Sequence, residues 1–161
     1  MVTASAFPLP PAQRELVITR LLNAPREVVF RAWTDPRQAR QWWGPGTYPA
    51  AHLEMDVRPG GSWRICLRST QGGPDLWQGG VFREIVPPER LVFTFTWEEA
   101  GERGLETLVT VTFAEEGGKT RLVFRQAPFQ SAEQRDGHQW GWNSSFDRLD
   151  KQLPPADGRG A

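Results

Sequence analysis

The sequence predicts an α+β fold: a curved antiparallel β-sheet of about seven strands wrapped round one long C-terminal helix, with two short helices after the first strand. Three observations carry this. From Ala51 to Gln126, segments of alternating apolar and polar residues are separated by Gly and Pro turns, the pattern of hairpin-linked strands. From Ser131 to Leu153, Trp142, Phe146, Leu149 and Leu153 recur at a 4-3-4 spacing, which puts all four on one helical face. Between the first strand and the rest stand two helix-start signals, Pro25 and Asp35-Pro36.

Each element has its local reason. Residues 1–13, rich in Ala and Pro and without periodicity, read as a disordered N-terminal tail. Glu15 to Leu22 is β-branched and apolar, a first strand ending at Asn23. Pro25 opens a helix to about Trp33 with Val28, Val29, Ala32 and Trp33 on its inner face. Asp35 caps the second helix, Pro36 suits its first turn and Gln38 completes a capping pattern; Gly44-Pro45-Gly46 ends it after Trp42-Trp43.

The strands then follow in turn. Leu53, Met55 and Val57 share a face; past the Arg58-Pro59-Gly60-Gly61 turn so do Trp63, Ile65 and Leu67, with Arg64 and Arg68 directed to solvent. Leu76 to Val86 is the next strand, and Leu91, Phe93, Phe95 and Trp97 alternate with Val92, Thr94 and Thr96. A loop from Glu98 to Gly104 leads to Thr107, Val109, Val111 and Phe113, and Gly117-Gly118 makes a tight hairpin into Thr120–Gln126, where Leu122 and Phe124 face in. Ser131 with Gln134 begins the long helix as a capping box; Pro154-Pro155 stops it, and 154–161 reads as a disordered tail. Short connections imply an antiparallel meander, and only the C-terminal helix looks long enough to cover its inner face. A sheet curved round a single helix can leave a space between them, where a ligand would sit.

Composition narrows the functional classes. The 161 residues fit one domain, with 19 basic and 19 acidic residues and no basic run. That balance argues against a sequence-independent grip on nucleic acid and against an electrostatic membrane anchor. No apolar run approaches a membrane span and the N-terminus lacks a secretory pattern, so a cytoplasmic location is expected. Cys66 is the only cysteine and reads as a packed strand thiol. Eight Trp and nine Phe are the unusual feature, fitting either an aromatic core or an aromatic-lined pocket.

No reactive constellation emerges. His52 and His138 are the only histidines, without metal-ligand spacing, and His138 reads as a surface or helix-start residue; no metal and no cofactor are expected. Ser144 and Ser145 lie outside any nucleophile-elbow pattern, so no catalytic residue is assigned. The Gly pairs 60–61, 72–73, 79–80 and 117–118 match no phosphate loop and read as turns and bulges. Tyr48, the sole tyrosine, reads as surface packing, with a place at a pocket mouth as the alternative.

Several stretches together resemble a known family. They are Asn23-Ala24-Pro25-Arg26-Glu27-Val28-Val29-Phe30-Arg31-Ala32-Trp33-Thr34-Asp35-Pro36, Trp42-Trp43-Gly44-Pro45, and Arg58-Pro59-Gly60-Gly61-Ser62-Trp63. Gly80-Val81-Phe82-Arg83-Glu84-Ile85-Val86-Pro87-Pro88-Glu89-Arg90-Leu91 and the helix from Gly141-Trp142 to Leu149 complete the set. In this order they resemble the START-like (SRPBCC, birch-pollen-allergen-like) superfamily, and within it the homologues of the activator of the heat-shock-protein-90 ATPase. The resemblance implies a START-like helix-grip domain over 14–153 with a deep pocket between sheet and C-terminal helix. It does not imply a reaction, because the shared motifs sit at positions that build the scaffold.

The candidate ligand-pocket residues are Trp63, Ile65, Phe93, Phe95, Trp97, Val109, Val111, Phe113 and Phe124 from the sheet, with Gly141, Trp142, Ser145 and Phe146 from the helix. They describe an apolar space for a flat or greasy molecule, with room made by Gly141 and Ser145. Trp140 lies about 160° round the helix from Trp142 at about 100° per residue, which suggests a homodimer contact. The function expected is binding of a small hydrophobic or aromatic molecule. An enzyme acting on a hydrophobic substrate, such as a cyclase, isomerase or hydrolase, is the alternative, with Glu54, His52 or Gln126 as its polar candidates. A protein-interaction or co-chaperone-like role is a second alternative.

Overall fold

A computed structural model describes residues 14–99 and 102–154 of the chain. The elements in order are β1 (Leu16–Leu22), α1 (Arg26–Thr34), α2 (Pro36–Trp42), β2 (Ala50–Met55), β3 (Ser62–Leu67), β4 (Leu76–Val86), β5 (Arg90–Glu99), β6 (Glu102–Arg103), β7 (Thr107–Glu116), β8 (Lys119–Ala127) and α3 (Ala132–Gln152). Seven strands form the main path of the antiparallel sheet, in the order β1-β8-β7-β5-β4-β3-β2, and β6 pairs only β5. The meander is as expected, and β1 completes the sheet at the β8 edge, with Ile18 opposite Phe124. The expected tails, 1–13 and nearly all of 154–161, lie outside the described residues.

The local chemistry accounts for the element ends. Asp35 accepts the Arg37 N–H at 3.0 Å and the Gln38 side-chain amide at 3.3 Å, which caps α2. At the start of α3, Ser131 Oγ accepts the Gln134 N–H at 3.1 Å, but the reciprocal half of the capping box is displaced by one residue: Gln134 Oε1 takes the Gln130 N–H at 3.2 Å. Gly117 and Gly118 both have positive φ, +61° and +81°, the conformation a two-residue hairpin of the right twist demands.

Two expectations change. The loop from Glu98 to Gly104 is in part a ladder, because β5 continues to Glu99, Glu98 pairs Arg103, and the Gly104 N–H reaches Trp97 O at 2.8 Å. Residues 100–101 lie outside the described part. The pair Gly79-Gly80 is not a turn but lies inside β4, where a Cβ on Gly80 would overlap the Thr94 backbone. That close approach also buries the outward residues of β5: Thr94 Oγ1 accepts the Val81 N–H at 2.8 Å, and the Thr96 hydroxyl donates to Gly79 O at 3.3 Å.

The inner face is covered by more than the long helix. Phe30 and Trp33 of α1, Trp42 of α2 and Trp43 just after it are buried beneath the sheet together with Trp142, Phe146 and Leu149 of α3. Trp33 sits at the centre, with ring centroids 4.8 Å from Trp42, 5.7 Å from Trp43, 5.9 Å from Phe146 and 6.2 Å from Trp142. Short helices suffice because each indole covers the area of two aliphatic side chains. The interior under β3, β5, β7 and β8 is therefore largely filled by rings supplied from α1 and α2; among the described residues a small gap remains beside Trp63 and Phe93, and a far larger space lies towards the N-terminal half of α3.

Candidate functional site

That space is a cavity of about 350 Å³, within the range of small-molecule sites. Its walls are Leu67 at the end of β3, Leu76 and Gln78 of β4, Phe95 and Trp97 of β5, the segment Trp43–Gly44–Pro45 with Tyr48, and one face of α3. The helix face explains why the space exists. Gln134, His138, Gly141 and Ser145 follow one another at four-, three- and four-residue steps and line it together with Gly137 beside His138. Nothing stands within 4 Å of where a Cβ of Gly137 or Gly141 would be. Trp142 borders the space on the core side, and beyond it Phe146 and Leu149 bring the helix into contact with the core.

Two indoles fix the polar atoms of the cavity. Trp43 Nε1–H donates to Gln78 Oε1 at 2.8 Å, and Trp97 Nε1–H donates to His138 Nε2 at 3.0 Å. Gln78 is buried, and His138 lies half-buried against the rings of Phe95, Trp97 and Phe129. Burial brings the His138 pKa down to about 4, so the imidazole is neutral near pH 7. A neutral imidazole that accepts through Nε2 carries its proton on Nδ1. Ser145 spends its hydroxyl proton on Gly141 O at 3.0 Å. The remaining lining is apolar, apart from Tyr48 and, at the exposed rim, Glu133 and Gln134.

The wall formed by the segment after α2 is pinned by α3. The Arg148 guanidinium donates to Gly44 O at 2.7 Å, Gln41 O at 2.9 Å and Trp43 O at 3.3 Å, and Ser144 Oγ accepts the Gly46 N–H at 3.2 Å. A cation at the C-terminal end of α2 meets carbonyls that the helix leaves unpaired.

Five residues singled out in the sequence line this cavity: Phe95, Trp97, Gly141, Trp142 and Ser145. Trp63, Ile65, Phe93, Val109, Val111, Phe113, Phe124 and Phe146 lie in the packed core instead, under the rings of α1 and α2. Trp140, 61% exposed, stands at the cavity mouth. Tyr48 also lines the cavity, so its alternative placement is the one observed. His138, expected at the surface or at a helix start, stands in the second turn of α3 with its half-buried ring in the cavity wall. Trp43, Gln78 and Gly137 were not anticipated; the His138–Gly141–Ser145 spacing was the one readable sign of a recessed helix face.

The polar candidates for an enzyme lie elsewhere. His52, with its side chain 51% exposed, sits 3.4 Å from Glu54 on the edge strand β2. Gln126 is fully buried and satisfied, accepting from Trp142 Nε1 at 2.9 Å and donating to Thr107 Oγ1 at 2.8 Å. Among the described residues no group of three or more His, Cys, Asp or Glu could hold a metal ion. No described helix is long and apolar enough to cross a membrane.

Comparison with solved structures finds the same architecture repeatedly. Protein CV1439 from Chromobacterium violaceum is 29% identical, with a TM-score of 0.80 over 88% of this chain and 98% of its own. A protein from Rhizobium leguminosarum is 31% identical, with a TM-score of 0.73 over 84% and 91%. The AHSA1 (SPO3351) protein from Silicibacter pomeroyi is 25% identical, with a TM-score of 0.77 over 86% and 96%. No curated protein matches by sequence. The family model described as Activator of Hsp90 ATPase homolog 1-like protein matches residues 23–153, from the turn before α1 to the end of α3, and the chain belongs to that family.

Proposed function

We propose that this protein binds a small, flat, mostly apolar molecule in the cavity between β3–β5 and the N-terminal half of α3. The observation that carries the reading is a recess of about 350 Å³ walled by Trp43, Phe95, Trp97, Trp140 and Trp142, beside a core that is otherwise closely packed among the described residues. The family's fold, which commonly binds hydrophobic ligands, supports it. Trp140 is part of the same site on this reading, closing over a bound molecule rather than meeting a second copy of the chain.

Binding is favoured over catalysis by the state of His138. It is the one histidine in the cavity, and its only lone pair is occupied by the Trp97 N–H. It is thus placed to donate a hydrogen bond and not to take up a proton.

Titration with 2-ethylnaphthalene, followed by tryptophan emission and melting temperature, tests the proposal. Saturable quenching and a rise in melting temperature are expected, and Gly141→Leu should abolish both while remaining folded. No change up to the solubility limit, or unaltered binding by Gly141→Leu, overturns it.

A further inference from the structure

Resting on the binding site proposed above, we infer that the cavity selects flat aromatic molecules bearing a carbonyl or phenolate oxygen and disfavours amines, because the two lining side chains locked by tryptophan, Gln78 and His138, each leave a hydrogen-bond donor, Nε2 and Nδ1, without a protein partner among the described residues. Each is set by a tryptophan. An indole N–H can only donate, so whatever faces it must accept. Trp43 therefore holds Gln78 with Oε1 turned to the indole, which leaves the amide NH₂ as the free end. Trp97 holds His138 with Nε2 turned to the indole, which leaves Nδ1–H free. Gln78 and Trp97 are register neighbours on β4 and β5, so both locks lie at the same level of the sheet.

A second Trp–Gln pair in the core shows that this is not how the fold must treat a glutamine. Trp142 locks Gln126 in the same sense, but there Nε2 goes on to Thr107 Oγ1 and the network closes on itself. At Gln78 and His138 no such continuation exists among the described residues, and neither donor atom is sealed off as a buried orphan. Both residues line the cavity, so an acceptor brought by the ligand completes them. The other polar groups do not reverse the preference. The Ser145 hydroxyl gives its proton to Gly141 O and keeps a neutral acceptor, the Tyr48 hydroxyl beside Gly73 can donate or accept, and Glu133, the one charged group of the described lining, is on the exposed rim where water screens it.

Three probes of one ring and nearly one size decide it: 2-acetylnaphthalene, 2-ethylnaphthalene and 1-(2-naphthyl)ethylamine. The folded protein should bind the ketone about tenfold tighter than the hydrocarbon, with the ammonium ion weakest. Gln78→Glu keeps an oxygen for Trp43 but replaces the free donor with an acceptor; it should erase the ketone preference and raise the relative affinity for the amine. His138→Phe should lower the ketone-to-hydrocarbon ratio independently, which covers the case in which Gln78→Glu does not fold. A hydrocarbon bound as tightly as the ketone by the wild type, or an amine bound best, overturns the inference while leaving the binding site intact. Failure of all three probes to bind overturns the site itself and this inference with it.

Discussion

His138 shows how one side chain can be placed for a role that its type alone does not announce. The rings of Phe95, Trp97 and Phe129 desolvate it, and the Trp97 N–H faces its acceptor nitrogen at 3.0 Å. Protonation would set two N–H groups against each other. Its folded pKa, about 4, lies below the 6.5 of an unperturbed imidazole. Between these values the unfolded chain holds more protons than the native one, so the stability contributed by neutral His138 is complete above about pH 6.5 and is lost as pH falls towards 4. Denaturant melts from pH 7 to pH 4 should lose up to about 3 kcal/mol from this group. His138→Gln, which does not titrate, should show a correspondingly flatter pH dependence; equal slopes would place the histidine in water.

At the scale of the element, α3 is two helices in one. Its C-terminal half presents Trp142, Phe146 and Leu149 to the core, and Arg148 ties it to the end of α2. Its N-terminal half presents Gly137, His138 and Gly141 to a void. Glycine inside a helix costs about 1 kcal/mol relative to alanine, and neither glycine needs a positive φ or meets a neighbour that forbids a Cβ. Gly137→Ala and Gly141→Ala should each stabilise the protein by about 0.5–1 kcal/mol in urea melts. The same methyl groups enter the cavity, so affinity for 2-ethylnaphthalene should fall as stability rises. A gain in both would mean that ligand does not lie on this face.

Over the whole molecule, the aromatic interior and the aromatic cavity are contiguous but energetically distinct. Phe146 is fully buried between Trp33, Trp42, Phe124 and Trp142, and its replacement by alanine should cost about 3–5 kcal/mol. That is a large share of the roughly 5–15 kcal/mol that holds a domain together. Trp140 on the same helix is exposed at the mouth, and Trp140→Ala should change unfolding free energy by less than about 0.5 kcal/mol while weakening ligand binding. Parallel chemical denaturation and titration of the two variants would separate the roles; a destabilised Trp140→Ala would merge them.

Strand alternation, the 4-3-4 stripe of α3, the Asp35 and Ser131 caps and the Gly117-Gly118 turn are all legible along the chain, because each is a contact within a few residues. The α+β class and the meander follow from them, whereas the family rests on the resemblance of the motif stretches and the match over residues 23–153. The division of the inward-facing rings into core and cavity wall is not legible. Phe93 and Phe95 have the same parity on β5, yet Phe93 packs under Trp33 and Trp43 while Phe95 faces the void beside His138. What separates them is the reach of α1 and α2 across the sheet, a long-range packing outcome to which no local periodicity responds. The same holds for Gln78 and Gln126: each faces an indole, and only the tertiary surroundings give one an internal acceptor for its free donor and leave the other open to the cavity.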